Sequence, residues 1–91
     1  MKERSIEQAA VRKMREAGVD PLKVGDQGWP DRLVLLGGGR HFWIEFKAPG
    51  GKLRPAQVRR IRSLLARRES VLTVDSAEGA LEAVKLLRRM T

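Results

Sequence analysis

The stretch Gly28-Trp29-Pro30-Asp31-Arg32-Leu33-Val34-Leu35-Leu36-Gly37-Gly38-Gly39-Arg40-His41-Phe42-Trp43-Ile44-Glu45-Phe46-Lys47 decides the reading of this chain. Two apolar runs, Arg32 to Leu36 and His41 to Lys47, flank a triple glycine. Glycine reaches positive φ without a steric penalty, so Gly37-Gly38-Gly39 predicts a turn and the two runs predict an antiparallel hairpin. The start of the first strand then meets the end of the second, and Asp31 and Glu45 converge at the open end. Side chains alternate along a strand, so Glu45 and Lys47, two residues apart, share one face. Two hard oxygen donors beside an ammonium group suit a divalent cation and a phosphodiester.

Upstream of the hairpin, Ile6, Ala10, Met14 and Ala17 recur at helical spacing over about residues 4–17, and Gly18 stands where a helix ends. Leu22-Lys23-Val24 predicts a short strand, and residues 25–30 a loop. Downstream, residues 48–54 form a second loop, and Pro55 suits the first turn of a helix, where its missing N–H costs nothing. Val58, Ile61, Leu64 and Leu65 mark the buried stripe of that helix, with Arg59, Arg60 and Arg62 lying mostly off it. Val71 to Val74 reads as a strand. Asp75 or Ser76 caps a last helix, with Glu78 placed for a capping box on Asp75. Leu81, Val84, Leu87 and Met90 are assigned to the core face of that helix. The order is α-β-β-β-α-β-α. A strand, a helix and a strand over 41–47, 55–68 and 71–74 predict a right-handed crossover. The expected fold is therefore α/β, a mixed four-stranded sheet flanked by helices.

Ninety-one residues fit one small domain, 1–91, with a modest core. There is no cysteine, which excludes disulfides and thiolate zinc sites. No apolar run is long enough for a transmembrane helix, and Met1-Lys2-Glu3-Arg4-Ser5-Ile6-Glu7 is too polar for a signal peptide. A cytoplasmic protein with no membrane partner is expected. The 19 Lys and Arg against 11 Asp and Glu leave a net charge of +8, which favours a polyanionic partner, most simply nucleic acid. Arg54, Arg59, Arg60, Arg62, Arg67 and Arg68 cluster close in sequence to the acidic strand. There is no Ser-His-Asp set, no P-loop and no zinc-ligand spacing.

Taken in order, these residues resemble the VRR-NUC domain of the PD-(D/E)XK nuclease superfamily, in its compact phage and bacterial form. The likeness covers essentially the whole chain. It runs from the helical glutamate in Ser5-Ile6-Glu7 through Leu22-Lys23-Val24 and Gly28-Trp29-Pro30-Asp31-Arg32. It continues in Glu45-Phe46-Lys47-Ala48-Pro49-Gly50-Gly51 and in the glutamine of Arg54-Pro55-Ala56-Gln57. A lone Glu-x-Lys is weak; Pro-Asp, Glu-x-Lys and a helical Gln at this spacing are specific. The usual proline of the hairpin turn is replaced by Gly37-Gly38-Gly39, which touches the turn and not the chemistry. The resemblance implies a restriction-endonuclease-like core, a phage or bacterial intracellular setting, and hydrolysis of phosphodiesters in DNA with Mg²⁺ or Mn²⁺. It also implies kinship of single-domain members with Holliday-junction resolvases, which act as homodimers.

Carried onto this sequence, Asp31 and Glu45 are the expected metal ligands, with the backbone carbonyl of Phe46 completing the protein side. Mg²⁺ prefers octahedral oxygen coordination and keeps several waters, so few protein ligands suffice. The plain alternatives are a turn aspartate after proline and a solvated strand glutamate. Lys47 is expected to orient the attacking hydroxide and to stabilise charge at phosphorus; otherwise it blunts a strand edge. Glu7, beside Ile6 on the first helix, is a further carboxylate for the metal, direct or indirect. Gln57, at the start of the arginine-rich helix, is expected to hold a metal-bound water or a DNA phosphate. Lys23, Lys52, Arg54, Arg59, Arg60 and Arg62 are the candidate phosphate contacts, which give salt-dependent, largely sequence-independent affinity. A solvated helix face is the alternative for each. His41 lies at the far end of the hairpin and is read as structural or solvent-facing. Trp29 is placed beside the catalytic loop or on DNA, and Trp43 in the core.

One site cuts one strand, whereas symmetric cleavage of a four-way junction needs two sites related by a two-fold axis. The expectation is thus a structure-selective endonuclease acting on branched DNA as a homodimer. Two readings compete with it. One is a nickase or general DNA endonuclease without junction preference; the other is a non-catalytic basic DNA-binding module. One metal ion against two is left open.

Overall fold

The glycines close the hairpin as their conformational freedom allows. In the computed structural model, which describes residues 1–90, Gly38 and Gly39 have φ of 63° and 78°, the pair of positive values that a two-residue type I′ connection needs. They join β2 (Arg32–Gly37) to β3 (Arg40–Phe46). The strands pair antiparallel, with Arg32 opposite Ile44, Leu33 opposite Trp43, Val34 opposite Phe42 and Leu35 opposite His41. The register shifts between Leu35 and Gly37, just before the turn.

Two short strands complete the sheet. β1 (Asp20–Lys23) pairs antiparallel with β2, and β4 (Val71–Val74) pairs parallel with β3, giving the order β1-β2-β3-β4. This is the expected mixed four-stranded sheet. β1 begins at Asp20 rather than Leu22, and it passes through Pro21, which is tolerated because an edge strand has one hydrogen-bonded neighbour only. It stops before Val24, whose N–H donates to the Asp31 carbonyl at 3.1 Å and closes the base of the intervening loop.

Three helices cover the sheet: α1 (Glu3–Glu16), α2 (Pro55–Ala66) and α3 (Ala77–Arg89). Pro21, Val34 and Phe42 share one face of the sheet with Ile44 and Phe46. Ile6, Ala10 and Met14 of α1, with Ala77, Ala80, Ala83 and Val84 of α3, bury that face. The alanines let the two helices approach the sheet and each other closely. Ser76 caps α3, its hydroxyl accepting from the Gly79 N–H at 2.9 Å. The capping box of Glu78 on Asp75 therefore does not form, because the helix starts one residue later and Gly79 occupies the third position. Met90 follows the last turn and is exposed, and Leu81 is only half-buried; the inward face of α3 is set by its alanines instead.

α2 is the crossover between β3 and β4 and packs alone on the opposite face. Its expected stripe is only partly buried: Leu64 is covered, Val58 and Ile61 are half-covered, and Leu65 is exposed. One helix of twelve residues cannot cover four strands, so Leu22 and Leu35 on that face also remain exposed. Trp43 lies on this second face and not in the core, since it alternates with Phe42 and Ile44. Among the described residues, no helix is long and apolar enough to cross a membrane.

α1 and α2 end in the same way. After α1, the Gly18 N–H donates to Arg15 and the Val19 N–H to Met14; after α2, the Arg68 N–H donates to Leu65 and the Glu69 N–H to Leu64. These are Schellman motifs, whose pivot residue is left-handed. In the second motif that pivot is Arg68, at φ 64°, a conformation that costs an L side chain roughly 1–2 kcal/mol. Arg68→Gly should therefore raise stability by about 0.5–1 kcal/mol after the added freedom of the unfolded chain is discounted. Thermal melting checks this: a domain of this size should gain a few degrees, and Arg68→Val should lose at least as much.

Candidate active site

Asp31 is held from the strand opposite. The Phe46 N–H donates to its Oδ2 at 2.8 Å, across the open end of the hairpin. The loop before it is pinned to α2, for Gly28 has φ +84° and a Cβ there would stand 3.5 Å from both Cβ and O of Ala56. The positive φ is what favours glycine here, since the distances to Ala56 are ordinary van der Waals contacts.

Glu45 is the most confined charged group of the molecule, at 1% exposure. Its Oε2 accepts from Gln57 Nε2 at 2.6 Å and lies 3.4 Å from Lys47 Nζ. Its Oε1 is buried and has no hydrogen-bond partner among the described residues. Burial disfavours the charged form, the Asp31 and Glu3 carboxylates add repulsion, and Lys47 offsets only part of this; the carboxyl pKa is pushed up to about 7.

Gln57 owes its orientation to its own helix. Its Oε1 accepts from the Arg54 N–H at 2.8 Å, which turns the amide nitrogen toward Glu45. Pro55 occupies the first position of the helix, as expected. Both ends of the Gln57 amide are thereby engaged within the protein.

The third acid of the cluster is Glu3. Glu3, Asp31 and Glu45 each offer one oxygen, all within 4.8 Å of one another, and Lys47 Nζ lies 3.9 Å from Glu3 Oε1. Glu7 is not brought there. Its Oε2 accepts from Arg32 Nε at 2.8 Å and Lys23 Nζ at 3.0 Å, while Arg32 Nη1 reaches the Pro21 carbonyl at 3.0 Å. Glu3 and Glu7 are four residues apart on one helix face. The earlier one reaches the open end of the hairpin; the later one ties α1 to β1 and β2. That spacing was the available signal for Glu3. The neutralised pair with Glu7 also occupies Lys23, whereas Lys52, Arg54, Arg59, Arg60 and Arg62 form no ion pair among the described residues. Of these only Arg60 is half-buried.

Three carboxylates against one lysine leave uncompensated negative charge, and a buried carboxylate oxygen without a donor adds to it. A divalent cation would relieve both, and the all-oxygen donor set fits Mg²⁺ or Mn²⁺. His41, at the other end of β3, meets Glu69 Oε1 at 2.8 Å on the surface and takes no part in the cluster.

No protein-family model matches the chain. The chain is 38% identical over 81 residues to a protein of Acyrthosiphon pisum secondary endosymbiont phage 1 whose name reads "Putative nuclease p44". The match covers 86% of this chain and 87% of the relative.

The raised pKa of Glu45 has a defined cost in the metal-free protein. The fold prefers the protonated form, so the penalty is absent below about pH 4.5, grows as pH rises, and is complete above about pH 7. At 1.36 kcal/mol per pH unit between the two pKa values it reaches roughly 3 kcal/mol. Glu45→Gln keeps the acceptor for Gln57 and removes the charge. In EDTA it should melt well above the wild type at pH 8 and only slightly above it at pH 5. Added Mn²⁺ should raise the wild-type melting temperature and leave the variant unchanged.

Proposed function

The chain belongs to the family of the phage protein p44, and on that footing we propose that it is a divalent-metal-dependent nuclease that hydrolyses phosphodiester bonds in DNA. We assign it to the PD-(D/E)XK superfamily in its VRR-NUC form, working on intracellular DNA of a phage or bacterium. The observation that carries this reading is the buried Glu45 carboxylate, with one oxygen unpartnered, set among Asp31, Glu3 and Lys47.

Asp31, Glu45 and Glu3, with the Phe46 carbonyl at the end of β3, would hold the cation. When bound, a divalent cation polarises a phosphodiester and supplies water of lowered pKa. Lys47 is buried beside the acids, so its ammonium is fixed in a site of low dielectric, where it stabilises charge that builds on phosphate oxygens as water attacks phosphorus. The same ammonium orients the attacking oxygen by donating to it. The attacking water gives up a proton to solvent as its bond to phosphorus forms, the P–O bond to the leaving sugar oxygen breaks, and that oxygen takes up a proton from solvent. Gln57 restrains the Glu45 carboxylate by donating to its Oε2 and leaves Oε1 without a partner. Glu7 acts through Arg32: their ion pair fastens the helix that carries Glu3. Lys52, Arg54, Arg59 and Arg62 are exposed and would serve as phosphate contacts.

The strong positive charge and the resemblance to junction resolvases favour branched DNA as substrate, with two copies of the chain placing two sites across a four-way junction. Cleavage of a labelled four-way junction against a matched linear duplex, in Mg²⁺, Mn²⁺ or EDTA, tests this. Paired nicks across the junction should require metal. Asp31→Ala and Glu3→Gln should each lower the rate about 10²–10⁴-fold, equivalent to several kcal/mol of barrier. Glu7→Gln should cost only about 10-fold, as an outer partner does. Equal cutting of both substrates would remove the junction preference and keep the nuclease. Binding without cutting in either metal would leave a DNA-binding module.

A further inference from the structure

The face of β3 that carries Glu45 also carries an aromatic assembly that the hydrolysis does not use. The Trp43 and Trp29 rings lie with centroids 5.2 Å apart and planes tilted by 39°. The Arg60 guanidinium sits 4.3 Å from the centroid of Trp29. Trp43 Nε1 donates to Glu69 Oε1 at 2.7 Å, and the Schellman turn at the end of α2 is what presents Glu69 there. Glu69, Trp43, Trp29 and Arg60 thus form a connected series that ends in a guanidinium without an acidic partner.

Beside Arg60 is a recess of about 300 Å³ lined by Gln27, Gly28, Ala56, Arg59, Arg60 and Ser63. Two guanidinium groups, a carboxamide and a hydroxyl with no carboxylate make it chemically an anion site. Contact with Trp29 restrains the guanidinium, whose N–H donors make no hydrogen bond among the described residues, and this lowers the entropy lost when they bind. Two of its lining residues are close in sequence to residues of the acid cluster. Gly28 is three residues from Asp31, at most about 11 Å at full extension, and Ala56 precedes the Gln57 that touches Glu45. A DNA strand advances about 3.4 Å per nucleotide along the helix axis, so the recess lies within roughly three nucleotides of the reacting phosphate.

We propose that this recess is a subsite for a non-scissile backbone phosphate of the substrate strand, with Arg60 as its main ligand and Trp29, Trp43 and Glu69 positioning Arg60. The proposal rests on the nuclease reading above, but it is tested by binding alone. Asp31→Asn protein would be titrated with duplexes that each carry one neutral methylphosphonate, moved phosphate by phosphate along the strand. One position near the cut should weaken binding about 10-fold, as loss of a charged hydrogen-bond partner does. Adding Arg60→Gln should weaken the unmodified duplex by a similar factor, abolish sensitivity at that position alone, and lower the log–log salt slope by about one. Adding Trp29→Leu should reduce sensitivity at the same position and nowhere else.

Equal weakening by Arg60→Gln at every methylphosphonate position, with thermal melting intact, overturns the subsite. If Arg60→Gln does not fold, the exposed Arg59→Gln reads the same position and decides. A wild type that cuts but shows no such coupling loses the subsite only. A wild type that shows the coupling and never cuts loses the nuclease only, and absence of duplex binding overturns both.

Discussion

The antiparallel register of β2 against β3 is the constraint on which the site depends. With Arg32 opposite Ile44, Asp31 falls beside Glu45 and Phe46, and the Phe46 amide can hold the Asp31 carboxylate. The same register sends Phe42, Ile44 and Phe46 into the apolar core and Trp43, Glu45 and Lys47 to the other face. A slip by one residue would exchange the two sets. It would drive a glutamate and a lysine against Met14 and Ala80 and expose two phenylalanines. Folding and site assembly are therefore the same event for this hairpin, and the apolar residues specify the placement of the acids.

The site is also where local stability is surrendered. A carboxylate without exposure, facing two other acids, is unfavourable until an external positive charge joins it. The surroundings hold it in place regardless. Gln57 and Lys47 engage one oxygen, α2 is fixed to the loop before Asp31, and α1 is fastened through Glu7 and Arg32. Gln57 and Lys47 both fall on Glu45 Oε2 and leave Oε1 without a partner, while the other contacts hold the elements that carry the acids.

Much of this was legible in the residues because it is encoded over short spans. The triple glycine and the alternation of β3 place Asp31, Glu45 and Lys47, and Pro55 places Gln57 in the first turn of its helix. The choice between Glu3 and Glu7 is of another kind. They share a helix face, and only the position of α1 along the sheet, set by distant packing on α3, decides which reaches the hairpin's end. The partial burial of α2 was likewise not periodic information; Val58, Ile61 and Leu65 repeat as a buried helix would, but the repeat does not state how wide a sheet one helix must cover. Trp43 differs again, since its alternation with Ile44 already placed it on the acid face. The cap of α3 turned on a choice between adjacent Asp75 and Ser76, which short-range pattern leaves balanced.

The packing of α1 on α3 has a consequence for the order of synthesis. α1 is the first of the seven elements to leave the ribosome and α3 the last, yet Ile6, Ala10 and Met14 find much of their cover in Ala80, Ala83 and Val84. Until α3 emerges, α1 is tied to the sheet through Glu7 with Arg32 and Lys23 but lacks much of its apolar cover, which leaves Glu3 less firmly placed beside Asp31 and Glu45. A growing chain thus carries its basic helix and two of its acids well before the third is seated.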